Sequence, residues 1–328
     1  MILRMLERPR KAGVDIDNLF ERCNVNPETL KQPHYRIPVA TAVELLQRCG
    51  FQMQDEFLGL LAAPIPPGYF RQSVLSTVHQ PTLGLALARY LEFSNIFFNS
   101  LRFELKRKKQ IVEIICTRDI NNKIKDDIAI ECSIAVFHRL TGWLCNELII
   151  LNNVELDFSV PTYYKEYHYL FYGAPIQFNS NLNRITFDAH YLDLPIVQTE
   201  ASAEIFIRRA PLDIFLPQDV QGEMSREIHE ALRISFTKSQ QPAELQDIAE
   251  DMGISTQTIR RKLTKEGTSF NNIKSQVRRD IAMHALGNPE LSIEEVAIQA
   301  GYSEPAAFIR AFKSWTGFTP AKFRQGVI

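Results

Sequence analysis

One pattern occurs twice near the carboxyl end of this chain and restricts its fold more than anything else in the 328 residues. The first copy reads Glu244-Leu-Gln-Asp-Ile-Ala-Glu-Asp-Met-Gly-Ile-Ser-Thr-Gln-Thr-Ile-Arg-Arg-Lys-Leu263. The second reads Ser292-Ile-Glu-Glu-Val-Ala-Ile-Gln-Ala-Gly-Tyr-Ser-Glu-Pro-Ala-Ala-Phe-Ile-Arg-Ala-Phe-Lys313. Ile248-Ala249 aligns with Val296-Ala297, and Gly253 with Gly301. Past the glycine the second copy carries one extra residue, after which Ile259, Arg261 and Leu263 align with Phe308, Arg310 and Phe312. An internal duplication of this length marks two copies of one supersecondary unit.

In the first copy Leu245, Ile248, Ala249 and Met252 fall on one face at helical spacing. Gly253 stands where a helix most easily ends in the left-handed conformation. Ile254 closes over the core, and Ser255 is placed to cap the next helix by accepting from a free backbone N–H. Ile259 and Leu263, four apart, face inward there, which leaves Gln257, Arg260, Arg261 and Thr264 facing out. The second copy repeats this logic. Ile293, Val296, Ala297 and Ala300 face inward, and Ser303 or Glu304 caps. Pro305 sits in the first turn, where its missing N–H costs nothing. Phe308, Phe312 and Trp315 pack inward, while Arg310 and Lys313 look out. Two helices meeting at a short glycine turn, the second with a polar and basic outer face, form the arrangement that reads duplex DNA. Two ordinary helical hairpins are the plainer alternative, and the duplication, the matched glycines and the local charge weigh against it.

Between Ile254 and Leu286 seven Lys or Arg stand against two acids, a net +5 in a chain whose formal charge is −1. The basic character is thus confined to a surface that phosphates can use. Glu223 to Phe236 presents Ile228, Leu232 and Phe236 as the inward face of a first helix. Phe270, Ile273, Val277 and Ile281 form one stripe on a long helix ending near Gly287-Asn-Pro. That helix is expected to join the two units rigidly. Two recognition helices can then meet successive major grooves, about 34 Å apart, on one face of the duplex.

These residues resemble the DNA-binding domain of the AraC/XylS family of bacterial transcription regulators. The most specific part is Ser292-Ile-Glu-Glu-Val-Ala, Gly301-Tyr-Ser, Phe308-Ile-Arg-Ala-Phe-Lys, and Gly317-Phe-Thr-Pro-Ala-Lys-Phe-Arg. The resemblance implies sequence-specific binding of double-stranded DNA, with RNA polymerase as a further partner and activation as the mode of regulation. By the same resemblance Gln257, Arg260 and Arg261 reach base edges from the first recognition helix and Arg310 from the second. Thr256, Lys262, Lys265 and Lys313 are placed for phosphates. Pro305, Ala306 and Ala307 occupy positions where polar side chains often sit. They can offer only apolar contact to thymine methyls, so the first unit is expected to carry most of the sequence discrimination.

The amino-terminal part reads as α+β. Asp17 to Cys23 and Val39 to Gln54 have helical spacing, the latter with Val43, Leu46 and Phe51 on one face. Pro64-Ile-Pro-Pro-Gly68 breaks the chain, and Pro81 to Phe93 is a buried helix opened by proline. Leu101 to Lys106 and Ile111 to Cys116 read as strands joined by a turn at Arg107-Lys-Lys-Gln110, whose charges suit a solvated hairpin tip better than a nucleic-acid patch. Ile128 to Ile149 is the longest helical candidate. Strands are expected at Val154 to Phe158, near Pro175 to Phe178, and at Arg184 to Asp188. Ala210 to Asp219, with Pro211 and Pro217, reads as a linker. The division is therefore an α+β effector or dimerisation domain over 1–210, a linker over 211–222, and an all-α domain over 223–328. The latter holds helix-turn-helix units at 244–266 and 292–316 joined by a long helix.

This first domain resembles the effector-binding domain of an AraC/XylS subgroup that includes regulators of ornithine utilisation and of quorum-related virulence. The likeness rests on Tyr35-Arg-Ile-Pro38, Pro81-Thr-Leu-Gly-Leu-Ala-Leu87, Tyr172-Gly-Ala-Pro-Ile-Gln-Phe178, Asn183-Arg-Ile-Thr-Phe187 and Leu192-Asp-Leu-Pro195. It implies a small-molecule effector and a homodimer as partners. The alternative is a ligand-independent module for dimerisation or protein interaction. Aromatic residues are dense at Tyr69, Phe70, Tyr90, Phe93, Phe97, Phe98, Phe103, Phe137 and Trp143. Packing is the plainer role for most of them, but a pocket they lined would suit an apolar molecule with one or two polar anchors. Tyr69, Arg71, Phe137 and His138 are the effector-binding candidates.

Other functions find little support. Five widely spaced cysteines without a Cys-x-x-Cys pair read as free, reduced thiols. Met1 to Arg10 lacks the apolar stretch of a signal peptide and no membrane span is expected, so the cytoplasm is the expected location. The seven histidines are scattered, His168 and His190 have no ligand-spaced partners, and no catalytic or phosphate-loop motif occurs. No enzyme activity, cofactor or metal is expected.

Overall fold

The computed structural model describes residues 2–30, 39–97, 100–119, 127–164, 167–209, 223–239, 242–288 and 290–325. The chain forms two units: Met1–Tyr163 with Pro175–Leu216, and Tyr164–Ala174 with Pro217–Ile328. The expected linker, 211–222, lies outside the described residues, as do Phe98 and the Tyr35–Pro38 motif.

The first unit begins with helices α1 (Ile2–Lys11), α2 (Ile16–Arg22), α3 (Pro27–Leu30), α4 (Val39–Met53), α5 (Tyr69–Leu75) and α6 (Leu83–Phe97). Asp15 opens α2 by accepting from the Asn18 N–H at 3.0 Å, satisfying a donor that helix geometry leaves free. The remaining elements are β1 (Leu101–Lys108), β2 (Ile111–Arg118), α7 (Asp127–Cys145) and β3 (Leu151–Glu155). The short helix α8 (Tyr167–Leu170) belongs to the second unit. Then come β4 (Ile176–Gln177), β5 (Asn183–Asp188) and α9 (Glu200–Arg209).

The five strands order as β1-β2-β5-β3-β4, antiparallel except for β3 against β4. The hairpin tip is shorter than expected. Lys108 pairs with Ile111, and Lys109, at φ 52°, turns the chain with Gln110 alone. Two of its three charges are met locally, Lys108 by Glu113 at 2.8 Å and Arg107 by Asp193 at 3.8 Å. β2 alternates poorly in sequence because it is an interior strand: Val112, Glu113, Ile114, Ile115 and Cys116 are all buried. The buried Glu113 is compensated by Arg184 at 2.7 Å, which also meets Glu155 at 2.5 Å. β3 starts at Leu151 rather than Val154, because Leu151 pairs with Phe187 across a bulge before Asn153. Arg118 grips Asp157 with two 2.8 Å bonds and reaches Asp127 at the start of α7. α7 is long and apolar enough to cross a membrane, which the sequence reading did not anticipate. Yet 89% of its most apolar window is buried inside the protein, as in a core helix.

The second unit holds α10 (Glu223–Ser239), α11 (Leu245–Asp251), α12 (Thr256–Lys265), α13 (Phe270–Leu286), α14 (Ile293–Gln299), α15 (Pro305–Thr316) and α16 (Pro320–Gln325). Ile228, Leu232, Ile259, Leu263, Ile273 and Val277 close one core from α10, α12 and α13. Their spacing of three or four keeps each helix's apolar stripe on that core.

Candidate nucleic-acid interface and interior cavity

The first reading unit is built by its turn. Gly253 sits at φ 65°, its neighbour Ile254 donates to the Ala249 carbonyl at 3.0 Å, and the Ser255 hydroxyl accepts from the Thr258 N–H at 3.2 Å. These bonds end α11 and start α12 within four residues. With Ile259 and Leu263 buried, Gln257, Arg260, Arg261, Lys262 and Lys265 are exposed and Thr256 is half-buried. Among the described residues none of these four cations meets a carboxylate, so their charge is free for a polyanion.

The second unit matches it with different caps. The Ser292 hydroxyl accepts from the Glu295 N–H at 3.1 Å while the Glu295 carboxylate accepts from the Ser292 N–H at 2.7 Å. The bond from Ser292 lowers the Glu295 pKa. Tyr302 donates to the Ala297 carbonyl at 2.9 Å after Gly301, at φ 75°. Glu304 is the N-cap of α15 but makes no side-chain cap bond, and Pro305 follows it. Phe308 and Phe312 are fully buried, and Arg310 and Lys313 are exposed.

The basic surface is narrower than the sequence charge suggested. Lys274 pairs with Glu244 at 2.9 Å. Arg278 donates to the Gly301 carbonyl at 3.0 Å and lies 4.6 Å from the Tyr302 ring centroid. Arg279 is only 5% exposed, beside Asp280 at 3.1 Å and over the Tyr172 ring at 5.5 Å. These three cations hold the unit together. Glu266 also has an internal role: its carboxylate accepts from the Met224 and Ser225 N–H groups at 3.0 and 2.8 Å and from the Ser225 hydroxyl, capping α10. Sequence reasoning assigned no such role to Arg278 or Glu266. The available signal was position: Arg278 follows Val277 of the apolar stripe, and Glu266 ends a helix beside a glycine.

The first unit contains a cavity of about 460 Å³, a volume typical of small-molecule sites. α4, α5, α7 and the segment from Glu56 to Gly68 contribute most of its wall, which is largely apolar. Tyr69, Arg71 and Phe137 are on the wall, together with Phe70, Tyr90 and Phe103. Behind it Phe93 stacks on Tyr69 at 5.7 Å, and Trp143 stacks on Phe206 at 4.3 Å. His138 is not on the wall. It is buried on α7, its Nε2 is 2.8 Å from the Ile149 carbonyl, and burial pushes its pKa down to about 3. It is therefore neutral, with Nε2–H donating. Phe51 corrects an expectation too. It does not share the buried face of Val43 and Leu46 but is 75% exposed while still lining the cavity. Five residues on from Leu46, it lies about 140° round the helix.

A helical unit with two capped helix-turn-helix elements and an unpaired basic face, in one chain with a cavity-bearing α/β unit, defines a DNA-binding transcription regulator. Residues 13–196 match the family described as the arabinose-binding domain of AraC transcription regulator, N-terminal, and residues 248–326 match a helix-turn-helix domain family. The chain belongs to the AraC family of transcription regulators. The ornithine utilization regulator of Pseudomonas aeruginosa is 22% identical over 325 residues, covering 98% of this chain and 94% of that protein. The regulator VqsM of the same organism is 27% identical over 161 residues, 47% of each protein, so the match spans about half of VqsM. The crystal structure of the regulator CdpR from Pseudomonas aeruginosa aligns over 98% of both chains at 19% identity and a TM-score of 0.31. These relatives are named as regulators, not enzymes.

Proposed function

We propose that this chain is a transcription activator whose DNA binding is set by a small molecule held in the first unit. In this reading α12 and α15 enter successive major grooves. Gln257, Arg260, Arg261 and Arg310 meet base edges, where arginine suits guanine and glutamine suits adenine. Thr256, Lys262, Lys265 and Lys313 meet phosphates. RNA polymerase is the partner through which activation acts, and a second copy of the chain the partner for dimerisation.

The cavity is the observation that supports control by a ligand, since a purely interacting module has no need of a 460 Å³ cleft open to solvent on one side. Val136 lines it from α7 and is half-buried, so Val136→Phe fills the space from within. A reporter driven by a duplex that the protein selects from random sequence tests the reading. The wild type should respond to growth conditions, whereas Val136→Phe should be fixed at one level. An equal response from both contradicts ligand control.

A further inference from the structure

Helix α6 has a second face that its own unit does not use. Leu83, Leu87, Tyr90, Leu91 and Ser94 are buried in the first unit, and a surface helix normally turns charged and polar side chains to the opposite side. Here the outer side presents Leu85, Arg89, Glu92 and Ile96, all exposed, Leu85 at 51% and Ile96 at 76%. At about 100° per residue these four lie within about 60° of the helix circumference, opposite Leu87 and Ser94. Single apolar residues on a surface need no explanation. The spacing does: steps of four, three and four are those of a seam along which two helices pack. Between the apolar ends stand Arg89 and Glu92. Among the described residues neither makes an ion pair or a side-chain hydrogen bond, although they are three apart on one helix.

We propose, resting on the reading of the chain as a dimer, that this stripe is the seam on which a second copy docks, α6 against α6 in antiparallel orientation. The stripe is self-complementary in that orientation. Turned end for end about the point midway between Arg89 and Glu92, it superimposes on itself. Leu85 then faces the partner's Ile96, and Arg89 faces the partner's Glu92. A twofold axis thus places two ion pairs between two apolar layers, the same patch serving both copies. A parallel pairing would set Arg89 on the partner's Arg89 and Glu92 on the partner's Glu92, where like charges repel. Ala88, exposed beside the seam, leaves room for the helix axes to approach to the usual separation of about 8–10 Å. A seam of four layers, about 16 Å long, buries less than a standard interface, so the dimer should dissociate on dilution.

Sedimentation velocity of the whole chain over a dilution series tests the seam. The wild type should pass from dimer to monomer as it is diluted. Ile96→Lys should weaken the dimer about tenfold or more, because each substitution acts in both copies. Its melting temperature, read where the wild type is monomeric, should match wild type because Ile96 is exposed. Arg89→Glu and Glu92→Arg should each weaken the dimer about threefold to tenfold. The double variant carrying both should recover the wild-type constant, since it restores both pairs with their signs exchanged. An Ile96→Lys dimer as tight as wild type overturns the seam while leaving dimerisation standing. A double variant no tighter than the single ones overturns the antiparallel register. A wild-type chain that stays monomeric at every concentration overturns the seam and the dimer reading together.

Discussion

Arg278 ties the long helix to the second reading unit through Tyr302. Its guanidinium lies 4.6 Å from the ring centroid and donates at 3.0 Å to the carbonyl of Gly301, in the turn of that unit. Sequence charge alone would place this arginine on the DNA. The structure uses it to fix the turn between α14 and α15 against α13. A charged hydrogen bond contributes roughly 1.5–3 kcal/mol and a stacked cation about 0.5–1 kcal/mol. Arg278→Ala should therefore destabilise the helical unit by about 2–4 kcal/mol in denaturant melts. It should lower affinity for all duplexes alike, with base preference unchanged. Lys is a point charge that lacks the planar stack, so Arg278→Lys should recover only part of the loss.

Sequence discrimination should be unequal between the two units. Arg261→Ala removes an exposed, unpaired guanidinium from a helix that also offers Gln257 and Arg260. Arg310 stands on a helix whose first turn carries only Pro305, Ala306 and Ala307. Titration of a selected duplex and its single-base variants should show Arg261→Ala costing about 1–3 kcal/mol and relaxing preference at its base. Arg310→Ala should relax preference less. A larger loss of preference from Arg310→Ala overturns this order.

Gly253 and Gly301 occupy equivalent turns but should not tolerate alanine equally. Both have positive φ, 65° and 75°, which costs an L-residue about 1–2 kcal/mol. A Cβ at Gly253 meets nothing within 4 Å, whereas one at Gly301 falls 2.8 Å from Cε1 of the buried Phe236. Chemical denaturation should rank Gly301→Ala as the more destabilising change. Equal costs would show that the Phe236 ring yields freely.

Buried neutral His138 gives the first unit an acid limit. Burial lowers its folded pKa to about 3 from an ordinary 6.5, so on acidification the unfolded chain binds the proton first. Its stabilising contribution is present above about pH 6.5 and is lost progressively as pH falls toward 3, with a slope approaching about 1.4 kcal/mol per pH unit. His138→Gln should flatten that slope in melts between pH 6.5 and 4. An unchanged slope assigns the acid sensitivity to other groups.

The helical unit was legible because its residues speak locally. Gly253, Ser255, Ser292 and Pro305 act within a turn or a cap, and the three-and-four spacing of Ile248, Ile259 and Leu263 does not depend on distant contacts. Charge was less legible, since sequence counts Lys274, Arg278 and Arg279 as surface while their partners Glu244, Gly301 and Asp280 are set by the packing of α13. In the α/β unit, the weak alternation of β2 followed from its interior place in the sheet, which pairing with β5 decides. The aromatic residues were visible, but which of them line a cavity and which fill the core was not. The grouping of Tyr164–Ala174 with the helical unit likewise has no local signature.

Selection of bound sequences from a random duplex pool by the whole chain measures most directly whether two linked probes read one face of DNA. Two enriched blocks about 10–10.5 base pairs apart, centre to centre, are expected. A single block, or two blocks separated by about half a helical turn and so facing opposite sides of the duplex, would contradict the arrangement proposed for α12 and α15.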